Sequence, residues 1–417
     1  MKRAAILFLV ALLTWGWAVT PAPVASTTAT ALVGGRVQTR PDAPAIVDGV
    51  VLIEDGRITA VGRRSEVSVP PGANTIDCAG ATVTAAFWNS HVHFTGSVFG
   101  NADTAPADRL ADGLRAMLTS RGVAHVVDIG SQLSNTLALR RRVESGEIPG
   151  PSILTAGTGF APAGGSPYYI LPLRLPELHN ATEAAALVNG ELDGGADVVK
   201  LFTGSWARRD AIVVMPVEIV RAAAEAGHRR GKLVFAHPSN SAGARVAIEG
   251  GVDILAHTFP SELDRKPWDR ALPGMMRERG MSLIPTFKLF SYELVKLGLP
   301  PAVVEAVLGN AMAQLRAFVD LGGQVLFGTD VGYMTDYDPT DEYVYMQKAG
   351  LPYAAILAAL TTAPASRFGA SAQTGQLAVG LAADVVVLGG DPSQDIRALG
   401  RVRATLRNGR VIYRATP

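Results

Sequence analysis

The stretch of sequence that decides the fold is VTAAFWNSHVHFTG, residues 83–96. In it, an apolar run ends in two histidines, His91 and His93, which stand two positions apart. Side chains at positions i and i+2 point to the same side of an extended chain, so both imidazoles are predicted to leave the end of a strand on one face. Histidine is a common metal ligand. The pair therefore predicts a metal site if other segments supply further ligands at the same place.

Seven more apolar runs of the same kind follow along the chain, separated by segments with a helical pattern. The runs are AHVVDIG, SILTAG, DVVKLF, LVFAHP, DILAHT, SLIPTF and VLFGTD. The segments between them include ADRLADGLRAMLTSRG and PVEIVRAAAEAGHRRG, which are typical of helices. Eight alternating units predict a TIM (β/α)8 barrel. An open doubly wound sheet, the alternative, would carry a glycine-rich phosphate turn after its first strand, and this sequence has none there.

The last polar residues of these runs are the candidate ligands. They are His91 and His93 on the first strand, Lys200 on the fourth, His237 on the fifth, His257 on the sixth and Asp330 on the eighth. Catalytic groups of a TIM barrel lie at the C-terminal ends of the strands, so these six side chains are predicted to meet. Six ligands exceed what one tetrahedral ion requires, and imidazoles with a carboxylate suit borderline metals. The pattern predicts two divalent metal ions, zinc foremost.

Lys200 needs its own explanation, because an ammonium group repels metal ions. Its neutral amine can instead add carbon dioxide and form a carbamate that bridges two ions. The apolar neighbours in VVKLF predict burial of the lysine, which lowers its pKa and favours the neutral amine. The remaining histidines, His125, His179 and His228, lie in a strand interior or in loop and helix contexts and are predicted to be structural.

Short β-branched runs at the two ends of the chain predict a second, smaller domain. DGVVLIEDGRITAVG and VRATLRNGRVIYR each contain an Asp-Gly or Asn-Gly turn signal for a hairpin. Because neither end is large enough to build a core alone, they are predicted to pair as one β-sandwich. The predicted fold class is therefore α/β, with a TIM barrel at 85–371 and a composite β-sandwich of residues 27–84 and 372–417.

The N-terminal segment MKRAAILFLVALLTWGWAVTPAPVAS, residues 1–26, predicts a secretory signal peptide. It has a basic start, an apolar run that is short for the roughly 20 residues of a bilayer span, and small residues at its exit. An uncleaved anchor is the alternative. Cys78 is the only cysteine, so an intramolecular disulfide is excluded. We expect a secreted or periplasmic protein without stable membrane insertion once the leader is removed.

Composition restricts the classes of partner. The 417 residues are 48% hydrophobic and 18% charged, with a formal net charge of +1, which is typical of a globular protein with a large core. No basic run or basic patch interleaved with aromatic residues is present, so nucleic acid is not expected as a partner. A small-molecule substrate is expected, and the sequence is compatible with a homo-oligomer.

The ordered set His-x-His, Lys, His, His, Asp resembles the amidohydrolase superfamily, in its binuclear subtype with a carboxylated lysine. The resemblance extends over most of the chain after the leader. GADVVKLFTG, GPSILTAGTGFAPAGGSP, LFGTDVG and AALTTAPASRFG are similar to imidazolonepropionase-like and Xaa-Pro dipeptidase-like enzymes. The resemblance implies that His91, His93 and Asp330 hold one metal ion. It also implies that His237 and His257 hold the other and that Lys200 bridges the two.

Two positions depart from the family pattern. Asn89 stands where the family usually has Asp before its His-x-His, and Ser166 stands where members often have histidine. Neither position is a ligand. Both are predicted to lie near the mouth of the substrate site and to influence which substrate is accepted.

The predicted ligands imply a hydrolytic mechanism. Two metal ions acidify a bound water and polarise the substrate carbonyl, while Asp330 takes the water proton and passes it to the leaving amine. This predicts hydrolysis of a carbon–nitrogen bond, as in an amide. A lactonase or phosphotriesterase with the same site is the alternative, and a non-catalytic metal-binding protein is a weaker one. The candidate pocket residues, on loops after barrel strands, are Phe94, Tyr168, Tyr169, Trp206 and Tyr333.

Overall fold

The computed structural model describes residues 29–259, 262 and 266–416. The strands are β1 Thr30–Gln38, β2 Ile46–Glu54, β3 Arg57–Arg63, β4 Asn74–Asp77, β5 Ala81–Ala85, β6 Phe87–Val92, β7 Val123–Asp128, β8 Ser152–Thr155, β9 Ala161–Pro162, β10 Glu177–Leu178, β11 Val199–Phe202, β12 Gly204–Arg208, β13 Ala211–Val214, β14 Val234–His237, β15 Ile254–Ala256, β16 Ser282–Ile284, β17 Gln324–Val325, β18 Val385–Gly389, β19 Val402–Arg407 and β20 Arg410–Arg414. The helices are α1 Ala107–Met117, α2 Leu133–Glu144, α3 Ala181–Asp193, α4 Val217–Arg229, α5 Ser241–Glu249, α6 Leu272–Glu278, α7 Phe287–Lys296, α8 Pro301–Asp320, α9 Thr340–Lys348, α10 Tyr353–Leu360 and α11 Thr362–Arg367, with short 3-10 turns at Ser97–Phe99, Thr119–Arg121, Tyr168–Ile170 and Ile396–Gly400. The predicted leader, residues 1–26, lies outside the described residues.

Strands from both ends of the chain form one eight-stranded sheet. Its order is β20-β19-β18-β5-β1-β2-β3, with β4 beside β1. Both predicted hairpins are confirmed, since β2 pairs antiparallel with β3 and β19 with β20. Their turns have positive φ at Asp55 (50°) and Gly56 (75°), and at Asn408 (49°) and Gly409 (72°), as a two-residue hairpin loop prefers. Because β5 and β18 are neighbours, the two ends complete each other's sheet.

The predicted alternation of strands and helices is present in the middle of the chain. Its strands lie in two parallel arcs, β6-β7-β8 and β11-β14-β15-β16-β17. Backbone hydrogen bonds connect the arcs at both seams: Phe160 N donates to Lys200 O (3.0 Å), and Asp330 N donates to His91 O (2.9 Å). The architecture is therefore α/β and TIM-barrel-like. The eighth strand, β17, has 2 residues and ends before the loop that carries Asp330.

An apolar layer supports the candidate ligands from below. Val198 and Phe235 stand two positions before Lys200 and His237, so each points to the same face of its strand as the ligand. They belong to one buried cluster with residues of the neighbouring strands, namely Val127, Ile129, Ala156, Ile254, Ala256, Ile284 and Leu326. Packing of this kind fixes the strand ends, because displacing any of them would open a void in a close-packed interior.

Helix α8 is the one described helix that is long and apolar enough, by length and composition, to cross a membrane, and 33% of its apolar window is buried. Its buried side chains recur every three or four positions. They include Val304, Leu308, Ala311, Leu315 and Phe318, and they join the main hydrophobic core. This spacing is typical of an amphipathic helix packed on the outside of a barrel.

Strands β12 and β13 form a hairpin that the sequence patterns did not predict. It begins directly after β11, on the same side of the barrel as Lys200. The Ser205 hydroxyl donates to Gly165 O and ties the hairpin to the loop after β9. Trp206, a predicted pocket residue, lies on this hairpin, half-buried and opposite Ile212.

Candidate metal centre

The six predicted ligands lie together at the C-terminal ends of the strands. The imidazole rings form a row, with centroid distances of 5.2 Å for His91–His93, 4.6 Å for His91–His257 and 4.6 Å for His237–His257. The carboxylate of Asp330 reaches three of them. Its Oδ1 is 2.8 Å from His93 Nε2 and 3.4 Å from His91 Nε2. Its Oδ2 is 3.7 Å from His257 Nε2.

Three of the six residues lie close enough together to bind a single metal ion. Ligand atoms of His91, His93 and Asp330 all lie within 4.8 Å of one another. His91 is 1% exposed and Asp330 5%. Two imidazoles and a carboxylate are a common ligand set for divalent zinc. These three residues are therefore the best-defined candidate for a cation site among the described residues.

His93 and Asp330 bring a ring nitrogen and a carboxylate oxygen into close contact. Its Nδ1 is 3.0 Å from the carbonyl oxygen of Gly130, which can only accept, so Nδ1 carries the proton. In a neutral ring, Nε2 is then a lone pair, and it faces a carboxylate oxygen of Asp330 at 2.8 Å. Two acceptors at that distance repel unless a proton or a metal ion lies between them. Burial lowers the pKa of His93, but the charge of Asp330 outweighs this and raises it.

The protons of His257 and His237 are placed by two hydroxyl groups. Thr286 Oγ1 donates to Pro285 O (2.8 Å), so it accepts from His257 Nδ1 at 2.7 Å. Ser239 Oγ donates to Gly204 O (2.8 Å), so it accepts from His237 Nε2 at 3.1 Å. The free lone pair is therefore Nε2 in His257 and Nδ1 in His237. The two rings therefore leave opposite nitrogens free of a proton.

These rings are held in the neutral form that binds metals. Burial lowers the pKa of His91, His237 and His257 well below its usual value, and neighbouring positive charges, including that of Lys200, lower it further. Neutral imidazole is the ligand form of histidine. In addition, His91 Nδ1 is buried without a hydrogen-bond partner among the described residues.

Lys200 is buried with its amine among these rings. Its side chain is 1% exposed, and Nζ lies 5.4 Å from the ring centroid of Phe202. Burial lowers the pKa of Lys200 to about 7, against the opposing effect of Asp330. A large fraction of the amine is therefore neutral near neutral pH, which agrees with the expectation from its apolar neighbours.

Asp128 supports the site, and the sequence reasoning missed it. This buried carboxylate ends β7 and accepts hydrogen bonds from the hydroxyls of Ser131 (2.6 Å), Thr155 (2.9 Å) and Thr136 (3.0 Å). It thereby fixes the turn whose Gly130 carbonyl orients His93. The signal was present, because Asp128 is the last polar residue of the predicted second strand.

Asn89 is buried below the ligands, and the prediction that it lies at the mouth is wrong. Its amide donates to Thr329 Oγ1 (2.7 Å), and its Oδ1 accepts from the backbone N–H groups of His91 and Thr329 (3.2 Å each). It connects the first strand to the segment that carries Asp330. Ser166 is also buried and accepts a hydrogen bond from Leu175 N (3.0 Å). This bond connects the two ends of the loop between Ser166 and Leu175.

Tyrosines form one wall beside the ligands. Tyr169 contacts Tyr168 and Tyr333 edge-to-face, each at a centroid distance of 5.6 Å. Burial and then the charge of Asp330 raise the pKa of Tyr169 well above its usual value. Phe94 is different. It is 3% exposed and packs on Phe99 (5.1 Å) in the core, so the prediction that it lines the pocket is wrong.

Comparison with known proteins agrees with this site and fold. Residues 82–412 match the model of the amidohydrolase family. The chain belongs to the amidohydrolase family. An ochratoxinase of Aspergillus niger is 24% identical to this amidohydrolase over 358 residues, which cover 76% of this chain and 72% of that protein.

Solved structures of prolidases share the fold. A putative prolidase from Bifidobacterium longum has a TM-score of 0.79 and 25% identity, over 94% of this chain and 96% of its own. A prolidase in complex with N-methylphosphonate-L-proline has a TM-score of 0.75 and 26% identity, over 93% and 100%. The family resemblance expected from the sequence is confirmed, and this amidohydrolase is a hydrolase that acts on carbon–nitrogen bonds.

Proposed function

We propose that this amidohydrolase cleaves an amide bond of a small substrate with the help of two divalent metal ions, zinc foremost. The observation that carries the proposal is the 2.8 Å approach of two acceptor atoms, His93 Nε2 and Asp330 Oδ1, next to His91. A proton or a metal ion between these two atoms removes their repulsion, and the buried neutral ring of His91 beside them favours a metal ion. Amidohydrolases generally use divalent metals, and the residues present fit that requirement.

The ligands divide between two ions. His91, His93 and Asp330 would hold the first, and the lone pairs of His237 Nδ1 and His257 Nε2 would contribute to the second. Lys200 would bridge them as a carbamate. Its neutral amine nitrogen bonds to the carbon of carbon dioxide and loses a proton, and this leaves an anionic oxygen pair. The burial of Lys200 and its pKa of about 7 support this assignment.

When bound, the ions would acidify a water molecule and polarise the scissile carbonyl. Asp330 is suited to act as general base and then general acid, because its carboxylate lies at the centre of the histidine row. It can take a proton from the attacking water and give it to the leaving nitrogen, so that the amine departs neutral. The ring of Phe202 lies 5.0 Å from that of His237 and would limit access of bulk water on that side of the ligands.

The substrate is proposed to carry an apolar or aromatic group next to the amide. Tyr168, Tyr169 and Tyr333 form a continuous wall, and Phe290 lies 6.3 Å from the ring of His257. Aromatic walls stabilise apolar ligands by burial and ring stacking. The known relatives include a prolidase and an ochratoxinase, and Trp206 on the neighbouring hairpin is a further candidate contact.

The test combines metal analysis with a hydrolysis screen. We expect about two divalent ions per chain after growth in added zinc. We also expect faster hydrolysis of N-acyl-phenylalanine than of N-acyl-glutamate. Tyr169→Phe keeps the ring and should keep this preference, whereas Tyr169→Ala should reduce it. One ion or fewer per chain would contradict the binuclear site. Hydrolysis of lactones or phosphotriesters but not of any amide would contradict the proposed bond.

We further propose that residues 1–26 are removed on export to the periplasm or medium, on the basis of their charge and hydropathy pattern. We also propose that the two strand arcs close as an eight-stranded barrel at 85–371, beside a β-sandwich built from 27–84 and 372–417. N-terminal sequencing of exported protein tests the first proposal, and an intact Met1 on membrane-bound material would contradict it.

A further inference from the structure

Glu342, on helix α9, is a buried carboxyl group that the proposed mechanism does not use. It is 0% exposed, and its Oε2 accepts a hydrogen bond from the backbone N–H of Lys288 at 2.8 Å. Lys288 is the second residue of α7, so this bond connects α9 to the N-terminus of a neighbouring helix. A carboxyl group is costly to bury, so its position needs a reason other than packing.

Glu342 takes the place of a helix cap. A threonine that directly precedes a helix, as Thr286 precedes α7, ordinarily accepts a hydrogen bond from the N–H of the second or third helical residue. The side chain of Thr286 makes no such bond. Glu342 accepts from the N–H of Lys288 instead. Burial raises the pKa of Glu342 to about 8, and the backbone N–H groups of Lys288, Phe287 and Thr286 oppose this effect. The carboxyl group therefore caps α7 from a different helix.

Because Glu342 caps the helix, the hydroxyl of Thr286 can bind elsewhere. That hydroxyl donates to Pro285 O (2.8 Å) and accepts from His257 Nδ1 (2.7 Å). Neither bond is made to α7. Thr286 therefore orients a candidate metal ligand, while the carboxyl group from α9 stabilises the helix that follows it.

The backbone of Thr286 is strained, so its position depends on the groups that hold it. Its φ is 53°, in the left-handed region that β-branched residues rarely adopt. Such a conformation persists only where the surroundings fix it. On one side, His257 N donates to Ile284 O (2.8 Å). On the other side, Glu342 binds the N–H of Lys288, two residues after Thr286. Without that bond, the first turn of α7 can relax and move the hydroxyl away from the ring.

We propose that Glu342 is a positioning residue for the metal ligand His257 and that it acts through Thr286. The carboxyl group fixes the first turn of α7, and this turn fixes the hydroxyl of Thr286. The hydroxyl keeps the proton of His257 on Nδ1, so that Nε2 is free for a metal ion. The inference rests on the proposed second ion, to which His257 contributes.

The experiment measures the zinc affinity of the purified full chain in competition with a chelator of known affinity. Glu342→Met keeps the length of the side chain but removes the acceptor, whereas Glu342→Gln keeps an oxygen that can accept from Lys288. Thr286→Val removes the hydroxyl and keeps the branched shape. The matched control is Tyr343→Phe. Tyr343 adjoins Glu342, is equally buried, and has a hydroxyl without a hydrogen-bond partner among the described residues.

We expect Thr286→Val and Glu342→Met each to weaken the binding of one zinc ion by about 10–100-fold, the effect of losing a group that orients a metal-binding histidine. Glu342→Gln and Tyr343→Phe should bind zinc as the wild type does. Because Glu342 acts through Thr286, the double variant should be no weaker than Thr286→Val alone, whereas independent contributions would add. Wild-type affinity in Glu342→Met, or additive losses in the double variant, would overturn the proposal.

A second measurement separates this inference from the proposed function. In the zinc-free chain with isotope-labelled histidine, NMR should show the Nδ1 proton of His257, assigned by its absence in His257→Gln. This resonance should persist in Glu342→Gln and should shift or disappear in Thr286→Val and Glu342→Met. If Glu342→Met does not fold, Glu342→Asp replaces it, because it withdraws the carboxyl group by one methylene and should shift the same resonance. An unchanged resonance in these variants would overturn the proposal. A wild-type chain that binds only one ion would contradict the proposed function, and the resonance would then decide the role of Glu342 by itself.

Discussion

Ser239 is predicted to set the metal affinity of His237 without touching a metal ion itself. Its hydroxyl accepts from His237 Nε2 (3.1 Å) and donates to Gly204 O (2.8 Å), which leaves Nδ1 as the ligand atom. Ser239→Ala removes this connection. The imidazole can then rotate or exchange its proton between the two nitrogens, and the nitrogen that should bind the ion is no longer reliably free.

The size of the effect follows from the groups left unpaired. Removing one partner of a buried hydrogen bond costs about 1–3 kcal/mol. Loss of a hydrogen bond that orients a metal-binding histidine typically lowers metal affinity by about 10–100-fold. That range corresponds to about 1.4–2.7 kcal/mol, so the two estimates agree. We therefore expect Ser239→Ala to bind zinc about 10–100-fold more weakly in competition with a chelator of known affinity.

Two further variants separate the loss of the Ser239 hydroxyl from other consequences of a substitution at this place. Ser90 is adjacent to His91 and equally buried, but its hydroxyl has no hydrogen-bond partner among the described residues, so Ser90→Ala should leave zinc affinity unchanged. Ser239 also has a positive φ of 55°. Ser239→Gly relieves that backbone strain while it still lacks the hydroxyl, and it should lose affinity as Ser239→Ala does. Wild-type affinity in Ser239→Ala, or full recovery in Ser239→Gly, would refute the reasoning.

Three further predictions concern other groups. Asp330→Asn keeps an oxygen ligand but cannot act as a base, so turnover should fall by about 100-fold or more. Its zinc content, measured by elemental analysis, should largely survive. Unchanged turnover would exclude the proposed proton transfer. Lys200→Ala removes the proposed carbamate bridge between the two ions, so zinc content and turnover should fall together. A small added carboxylate should restore both in part. Normal zinc content would show that the lysine is not a ligand. Burial raises the pKa of Glu342 to about 8. Between pH 4.5 and 8 the folded chain therefore holds a proton that the unfolded chain has released, and stability falls as pH rises, by at most about 1.4 kcal/mol per pH unit. Glu342→Gln should flatten this dependence in thermal melts and raise the melting temperature at pH 8 but not at pH 4; parallel pH profiles for the two proteins would contradict the assignment.

The sequence alone determined the alternation of strands and helices and the positions of the six candidate ligands. Both are local properties. A run such as LVFAHP has strand-forming residues and a single polar residue at its end, and the repeat of that pattern specifies which end of each strand carries the chemistry. The hairpins at Asp55–Gly56 and Asn408–Gly409 were predictable for the same reason, because two adjacent residues with positive φ define the turn.

The tertiary structure alone decided how the ligands are oriented. Asn89 hydrogen-bonds to Thr329 across 240 positions of the chain, and Ser239 connects His237 to Gly204 across 35. Sequence periodicity reports which face of a strand a side chain occupies, but it carries no information about which distant carbonyl or hydroxyl meets an imidazole nitrogen. That meeting depends on the relative positions of different strands and loops, which are set by packing of the whole core.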